Sequence, residues 1–195
     1  MRHTLPALLA AAVLAAAPAA AQHGGHGALH GGMPGPAAGP AAGTPPGQPY
    51  AGLETRRTKA LPEGQKADLL AGRGMGLALA AELNGYPGPM HVLEHGEALR
   101  LTAEQRAAVE ALRDRMAGEA QAIGARIVVL EEELDTLFAG GAADTGRLAA
   151  LTAALGAMNG RLREVHLVTH IAMRDELEPA QRDLYARLRG YVAAR

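Results

Sequence analysis

Residues 101–141 have the sequence LTAEQRAAVEALRDRMAGEAQAIGARIVVLEEELDTLFAGG, and this stretch decides the fold. Its apolar residues recur at steps of three or four, which is the spacing of one face of an α-helix. Thr102 and Gln105 form a capping box, because each side chain can bond to the backbone amide of the other residue. We therefore predict a helix that begins after Thr102 and ends at Gly140-Gly141. The apolar stripe comprises Val109, Leu112, Met116, Ala120, Ile123, Ile127, Leu130, Leu134 and Leu137.

A second apolar stripe follows these glycines and predicts a partner helix. Two long helices joined by a turn of a few residues must lie antiparallel. We therefore predict an all-α fold, in which a long antiparallel hairpin with helices at about 102–139 and 144–177 is flanked by short helices. The second stripe comprises Leu148, Leu151, Leu155, Met158, Leu162, Val165, Thr169 and Ala172.

Two further features refine this hairpin. A last helix is expected from Pro179 to about Val192, with the proline at its first position. If the turn lies at Gly140-Gly141, Gly124 on the first long helix lies opposite Gly156 and Gly160 on the second. Because glycine costs about 1 kcal/mol in a helix interior, this cluster predicts a close contact between the two long helices.

The first 50 residues differ in composition from the rest of the chain. Arg2, an apolar run from Leu5 to Ala17 and small residues before Gln22 are typical of a cleaved signal peptide at residues 1–21. We therefore expect export, which in a bacterium means the periplasm. Residues 22–50 are rich in glycine and proline and cannot bury a core, so we expect a disordered tail. The remaining residues, 51–195, should form one helical domain.

Composition narrows the possible functions. The chain contains no cysteine and no serine, which excludes the common nucleophile triads. We expect no enzymatic activity and no organic cofactor. The formal net charge of −1 gives no electrostatic reason to expect nucleic acid as a partner. Three histidines of the tail either capture metal weakly or belong to a plain spacer: His23, His26 and His30.

Every histidine of the folded part belongs to a pair spaced four residues apart. His91 and His95 form one pair, with Glu94 between them, and His166 and His170 form the other. Residues four apart share a helix face, so each pair could hold one metal ion. The first pair also matches the H-x-x-E-H motif of inverted zinc peptidases. The chain is too short and too helical for that large mixed fold, so we do not expect a peptidase.

The two histidine pairs are predicted to meet. If the helix that carries His91 folds back along the first long helix, His91 lies near the level of residues 111–112, and His170 faces the level of residue 113. Histidine, glutamate and methionine donors suit Zn, Ni, Co or Cu, and Met173 could supply the thioether. Two alternatives stay open. The imidazoles could flank the apolar core, or they could form a pH-responsive surface without metal.

The sequence resembles the Spy/CpxP group of periplasmic proteins. Leu101-Thr102-Ala103-Glu104-Gln105 matches their LTxxQ motif, and Leu177-Glu178-Pro179-Ala180-Gln181 resembles the second copy, with glutamate in place of threonine. The motif positions are thus Thr102, Gln105, Pro179 and Gln181, and the resemblance covers about residues 87–192. It implies a cradle-like helical hairpin that forms homodimers. Members of the group bind unfolded periplasmic proteins, bind metals, or restrain a membrane-bound regulator.

The nickel/cobalt sensors of the heavy-metal-resistance branch resemble this chain further. His91 and His95 look like the sensors' first histidine pair, and Met173 matches their methionine by its distance from the second motif. His170 lies three residues before Met173, where the sensor pattern has four. The resemblance implies a periplasmic heavy-metal-binding or sensing protein. The alternative is an ATP-independent periplasmic chaperone of the Spy type.

Overall fold

The structure is a computed structural model, and it describes residues 48–141 and 143–192. Within these residues the regular elements are all helical, which confirms the predicted all-α class. The predicted signal peptide, nearly all of the predicted tail and the three tail histidines lie outside the described residues. After a 3-10 turn at Leu53–Thr55, the helices are α1 (Glu63–Leu70), α2 (Leu79–Glu82), α3 (Pro89–Glu94), α4 (Ala103–Ala139), α5 (Thr145–Asp175) and α6 (Pro179–Leu188).

The long helices α4 and α5 form the antiparallel hairpin that the apolar stripes predict. The capping box at the start of α4 is complete. Gln105 donates its backbone N–H to the Thr102 hydroxyl, and the Gln105 side-chain oxygen accepts the Thr102 N–H, both at 3.1 Å. Asp144 caps α5 by accepting the Arg147 N–H at 2.9 Å. None of the described helices is both long enough and apolar enough to cross a bilayer.

The short helices pack against the hairpin around two separate apolar cores. The core nearer the hairpin turn joins α1 to both long helices through Leu61, Leu69, Ala120, Ile127, Val128, Leu130, Leu155 and Leu162. The second core, at the open end of the hairpin, consists of Val92, Leu99, Val109, Met173, Leu177 and Tyr185. On α4 the two cores are separated by the residues between Val109 and Ala120. A site lined by that segment therefore has a packed core on either side.

Gly124 marks a close contact, but its partner is α1 rather than α5. A Cβ atom at Gly124 would lie 2.1 Å from the carbonyl oxygen of Leu69. At Gly156 and Gly160 the added Cβ would meet nothing within 4 Å. The predicted partner is therefore wrong, because α1 packs on the Gly124 face of α4 and brings its backbone against the glycine.

The two motif glutamines join the open end of the hairpin. Gln105 and Gln181 form a reciprocal amide pair, in which each Nε2 donates to the other's Oε1 at 2.9 and 3.0 Å. Gln105 Nε2 also donates to the backbone carbonyl of Glu176, and Gln181 Nε2 donates to that of Leu99. Each side chain thus also bonds to the backbone beside the other motif. The Gln181 oxygen accepts the Glu178 N–H at 2.9 Å, and α6 keeps a capping box in which the Glu178 side chain takes the place of the threonine. The LTxxQ motif and its second copy thus form one joint between α4, α5 and α6.

Candidate functional site

A cavity of about 740 Å³ opens between the two cores. Its walls are the loop of residues 71–76, the helices α2 and α3, one face of α4 and one face of α5. Arg189 and Tyr191, which follow α6, line it as well. His91, His166 and His170 all line this cavity, so the structure brings together members of both predicted pairs.

His170 is held in one orientation by a backbone carbonyl. Its Nδ1 lies 2.8 Å from the Tyr86 oxygen, and because a carbonyl can only accept, Nδ1 carries the proton in the neutral ring. The lone pair is then on Nε2. Gly88 lies directly against this ring, since a Cβ there would be 2.9 Å from His170 Cε1 and 3.1 Å from Nε2. An imidazole fixed through Nδ1 in this way is the usual arrangement for a metal ligand.

His166 lies one turn before His170 and is 2% exposed. Its Nε2 is buried without a hydrogen-bond partner among the described residues. Burial lowers the pKa of His166, and the neighbouring His170 lowers it further. The ring is therefore neutral near pH 7 and keeps a free lone pair. Gly74 of the cavity loop approaches the ring, with an added Cβ 3.8 Å from it.

His91 faces the cavity from α3 and is oriented by Glu94. Its Nδ1 lies 2.7 Å from Glu94 Oε2, and a hydrogen bond to His91 lowers the pKa of this carboxyl. Glu94 thus fixes the ring through Nδ1, which leaves Nε2 of His91 with the lone pair.

The two other predicted donors lie elsewhere. His95 is the residue that ends α3, and its ring meets the Tyr185 ring edge-on, with the centroids 6.4 Å apart. Met173 is fully buried in the core at the open end of the hairpin. Neither residue lines the cavity. Among the described residues there is also no group of three His, Asp or Glu side chains able to hold a metal ion.

Sequence reasoning missed Glu82, which is buried at the back of the cavity. Its Oε1 accepts the hydroxyls of Tyr185 at 2.5 Å and Tyr191 at 2.8 Å, and its Oε2 accepts the Gly88 N–H at 3.0 Å. Arg189 lies 3.5 Å from the same carboxylate. Burial and the Glu82 hydrogen bond raise the pKa of Tyr185. No sequence pattern marks Glu82, because α2 is only four residues long and two of these partners lie more than 100 residues away.

Sequence reasoning also missed three methionines at the cavity wall. Met75 belongs to the loop, Met90 to α3 and Met116 to α4. In the sequence, Met75 and Met90 lie outside any periodic stripe, and Met116 has the spacing of ordinary core. The cavity therefore offers imidazole and thioether donors from four separate elements.

Comparison with known protein families assigns the chain to a family. A family model described as heavy-metal resistance matches residues 69–183, which is more than half of the chain. The chain belongs to the heavy-metal resistance family. This family lies in the Spy/CpxP-like helical superfamily, which confirms the resemblance carried by the LTxxQ motifs. Searches of curated proteins and of solved structures found no match.

The matched span contains the whole cavity loop, the hairpin and the residues that orient the histidines. Membership of this family makes metal the ligand to test for, and the described residues hold no assembled metal site. The unpartnered buried Nε2 of His166, beside a His170 ring that is fixed through Nδ1, fits such an ion.

Proposed function

We propose that this protein binds a transition metal ion in its cavity and works in the periplasm as a metal-binding or sensing protein of heavy-metal resistance. His166 and His170 would supply two imidazoles from α5, and His91 would supply a third from α3 after its side chain moves, since no three such donors are grouped among the described residues as they stand. The observation that carries the proposal is the buried and unpartnered Nε2 of His166. A buried polar atom without a partner costs about 1–3 kcal/mol, so it calls for a specific explanation, and a bound ion provides one.

Metal binding at this position has a mechanical consequence. His91 belongs to α3, whereas His166 and His170 belong to α5, so an ion held by all three would tie the short helix to the hairpin. The His91 side chain is 38% exposed and can move towards the ion. The metal would supply positive charge and directional bonds, while the chain supplies rings already oriented by Tyr86 and Glu94. The docking of α3 would then report whether metal is present, for instance to a membrane-bound regulator.

The test is calorimetric titration of Zn(II), Ni(II), Co(II) and Cu(II) into the full chain, with the tail donors replaced so that only the folded domain can respond. We call this variant the tail-silent chain, and it carries the substitutions His23→Ala, His26→Ala, His30→Ala and Met33→Leu.

In the tail-silent chain, His166→Ala and His170→Ala should each lower metal affinity at least tenfold, or about 1.4 kcal/mol. His95→Ala is the matched control, because this histidine packs on Tyr185 outside the cavity and should leave affinity unchanged. If both cavity variants bind metal as tightly as the tail-silent chain that keeps the two histidines, the proposal is wrong.

A chaperone function of the Spy type is the second candidate, and exposed apolar residues on the hairpin favour it. Val168 and Ile171, three residues apart on α5, are 53% and 54% exposed, and Phe138 near the turn is 56% exposed. Exposed apolar side chains of this kind would suit an unfolded client or the second copy of a homodimer. Substoichiometric protein should then slow aggregation of an unfolded client in the presence of chelator, and Ile171→Ser should weaken this effect. No protection at any ratio would remove this candidate.

Periplasmic location is part of the proposal and rests on the signal-like residues 1–21. The mass of the protein recovered from the periplasm should correspond to a chain that begins at Gln22. Recovery of the uncut chain from the cytoplasm would contradict it.

A further inference from the structure

We propose that the cavity selects a soft monovalent metal ion, Cu(I) or its analogue Ag(I), by combining the imidazoles of His166 and His170 with methionine thioethers. The thioethers are those of Met75, Met90 and Met116. This inference rests on the proposed function, because it names the class of metal that the same cavity takes.

The distribution of methionines is the first observation. The described residues contain five methionines, and three of them, Met75, Met90 and Met116, line this one cavity. The other two, Met158 and Met173, pack in the apolar cores. Thioethers at the cavity are therefore a feature of the site rather than of the whole protein.

The three methionines line the same cavity as the two histidines. Met75 directly follows the glycine that approaches His166, and Met90 lies two residues after the glycine that touches His170. Met116 lines the cavity from α4, whereas the two histidines line it from α5. Because methionine has a long, unbranched and flexible side chain, thioethers from these three elements could turn towards an ion beside the rings.

Met75 and Met90 are placed where an apolar side chain gains little from burial. They are 41% and 52% exposed. Met75 also has a φ of 44°, in the left-handed region that favours glycine, and it stands between Gly74 and Gly76. A glycine at position 75 would relieve this backbone strain. The strained backbone instead carries a thioether to the rim of the cavity, which is consistent with a ligand role.

The hard ligands of the cavity are already engaged. Glu82 accepts three hydrogen bonds, and Asp114 pairs with Arg113 at 2.7 Å. As the described residues stand, no three His, Asp or Glu side chains are grouped, so a zinc ion with its usual four ligands would be held fully only after the His91 side chain moves in. Imidazole and thioether donors with a low coordination number suit Cu(I) instead.

The test compares metals and variants in the tail-silent chain. Cu(I) is titrated without oxygen against a chromophoric Cu(I) chelator, Ag(I) is titrated by calorimetry, and Zn(II) and Ni(II) serve as harder reference ions. The variant replaces Met75, Met90 and Met116 by leucine, which conserves volume and apolar character. Met158→Leu is the matched control, because that methionine packs against the core near the hairpin turn.

The triple variant should lose at least tenfold in Cu(I) and Ag(I) affinity and keep its Zn(II) and Ni(II) affinity within twofold. X-ray absorption of the Cu(I)-loaded chain should show sulfur neighbours that the triple variant lacks. If the triple variant binds Cu(I) and Ag(I) unchanged while His166→Ala still weakens Zn(II) or Ni(II), the metal class is wrong and the proposed function stands. If no metal binds, or if the histidine variants bind normally, both fail.

Discussion

The substitution Gly124→Ala tests the contact that seats α1 on the hairpin. An alanine normally stabilises a helix interior by about 1 kcal/mol relative to glycine. At Gly124, however, the new Cβ would lie 2.1 Å from the Leu69 carbonyl oxygen and 2.7 Å from its carbonyl carbon. The obstructing atoms are backbone, so a side-chain rotation cannot relieve the overlap, and α1 itself has to move.

The size of the effect follows from what α1 buries. Cβ contacts below 3.0 Å are essentially never seen, so the Leu69 oxygen has to move away by about 0.9 Å, the difference between 3.0 and 2.1 Å. Leu61 and Leu69, at 5% and 3% exposure, pack through this contact. Full burial of such a side chain contributes about 1.5–3 kcal/mol. Partial loss at both residues outweighs the gain in helix propensity, and we expect a net destabilisation of about 2 kcal/mol or more.

The assay is thermal and urea unfolding of the metal-free protein, followed by circular dichroism. In a domain of this size, 1 kcal/mol corresponds to about 2–4 °C in Tm, so Gly124→Ala should lower Tm by at least about 4 °C. Gly156→Ala and Gly160→Ala are matched controls in α5, where the new methyl meets nothing within 4 Å. Each control should raise the free energy of unfolding by about 0.5–1 kcal/mol.

The same substitution also reaches the cavity, because α1 leads directly into the loop that carries Met75. Gly124→Ala should therefore weaken metal binding, whereas Gly156→Ala should not. If Gly124→Ala stabilises the protein as the two controls do, α1 does not pack on α4 through Leu69 and the reasoning is refuted.

Three further predictions concern the polar joints of the fold. Gln105→Ala and Gln181→Ala should each cost about 1–3 kcal/mol in urea unfolding, and a double-mutant cycle should show coupling of about 0.5–3 kcal/mol; additive effects would contradict the amide pair. Glu82→Ala should destabilise the protein by about 2 kcal/mol or more, because it leaves the buried Tyr185 hydroxyl, the partly buried Tyr191 hydroxyl and the Gly88 N–H without their acceptor. Tyr185→Phe, which removes only one of these donors, should cost less, and an equal cost would mean that Glu82 is not their shared acceptor. Because burial lowers the pKa of His166 in the native state, the unfolded chain takes up its proton at higher pH. The metal-free protein should therefore be most stable above about pH 6.5, and its free energy of unfolding should decrease as the pH falls below that value. His166→Leu should remove this part of the pH dependence, measured by urea unfolding at about pH 7 and about pH 5.5, and an unchanged slope would exclude His166 as its source.

The hairpin was predictable because its signals are local and repeated. The α4 segment contains nine apolar residues at helical spacing, a capping box at its start and two glycines after its end. These signals can all be read from the segment itself, without the rest of the chain. The cavity was predictable only in part. The sequence placed His91 and His170 at nearly the same level along the hairpin, and both residues line the cavity. The sequence does not show that α3 ends at Glu94, so His95 at the helix terminus leaves the face that His91 occupies.

Glu82 and the glutamine pair show what a single sequence cannot supply. The Gln105 capping box is visible in the sequence, but its partner Gln181 is 76 residues away, and only the closed hairpin brings the two amides together. Glu82 belongs to a helix too short to have a period, and a lone glutamate gives no sign that it will be buried. The roles of such residues depend on tertiary contacts. In a chain of 195 residues there are too many possible long-range pairs for a sequence pattern to identify the right partners.

These long-range contacts also connect the cavity to the rest of the open end. Gly88 lies against the His170 ring and donates its N–H to Glu82, and Glu82 holds the hydroxyls of Tyr185 and Tyr191 at the C-terminal side. The glycine cannot carry even a methyl group without meeting the imidazole. An ion on the Nε2 of His170 would therefore press on the same backbone that fixes Glu82. Because Tyr185 belongs to α6, the position of that helix depends on a carboxylate at the back wall of the metal cavity. An ion bound as proposed would therefore act on the docking of α3 and α6, the two short helices that share the core at the open end with α4 and α5.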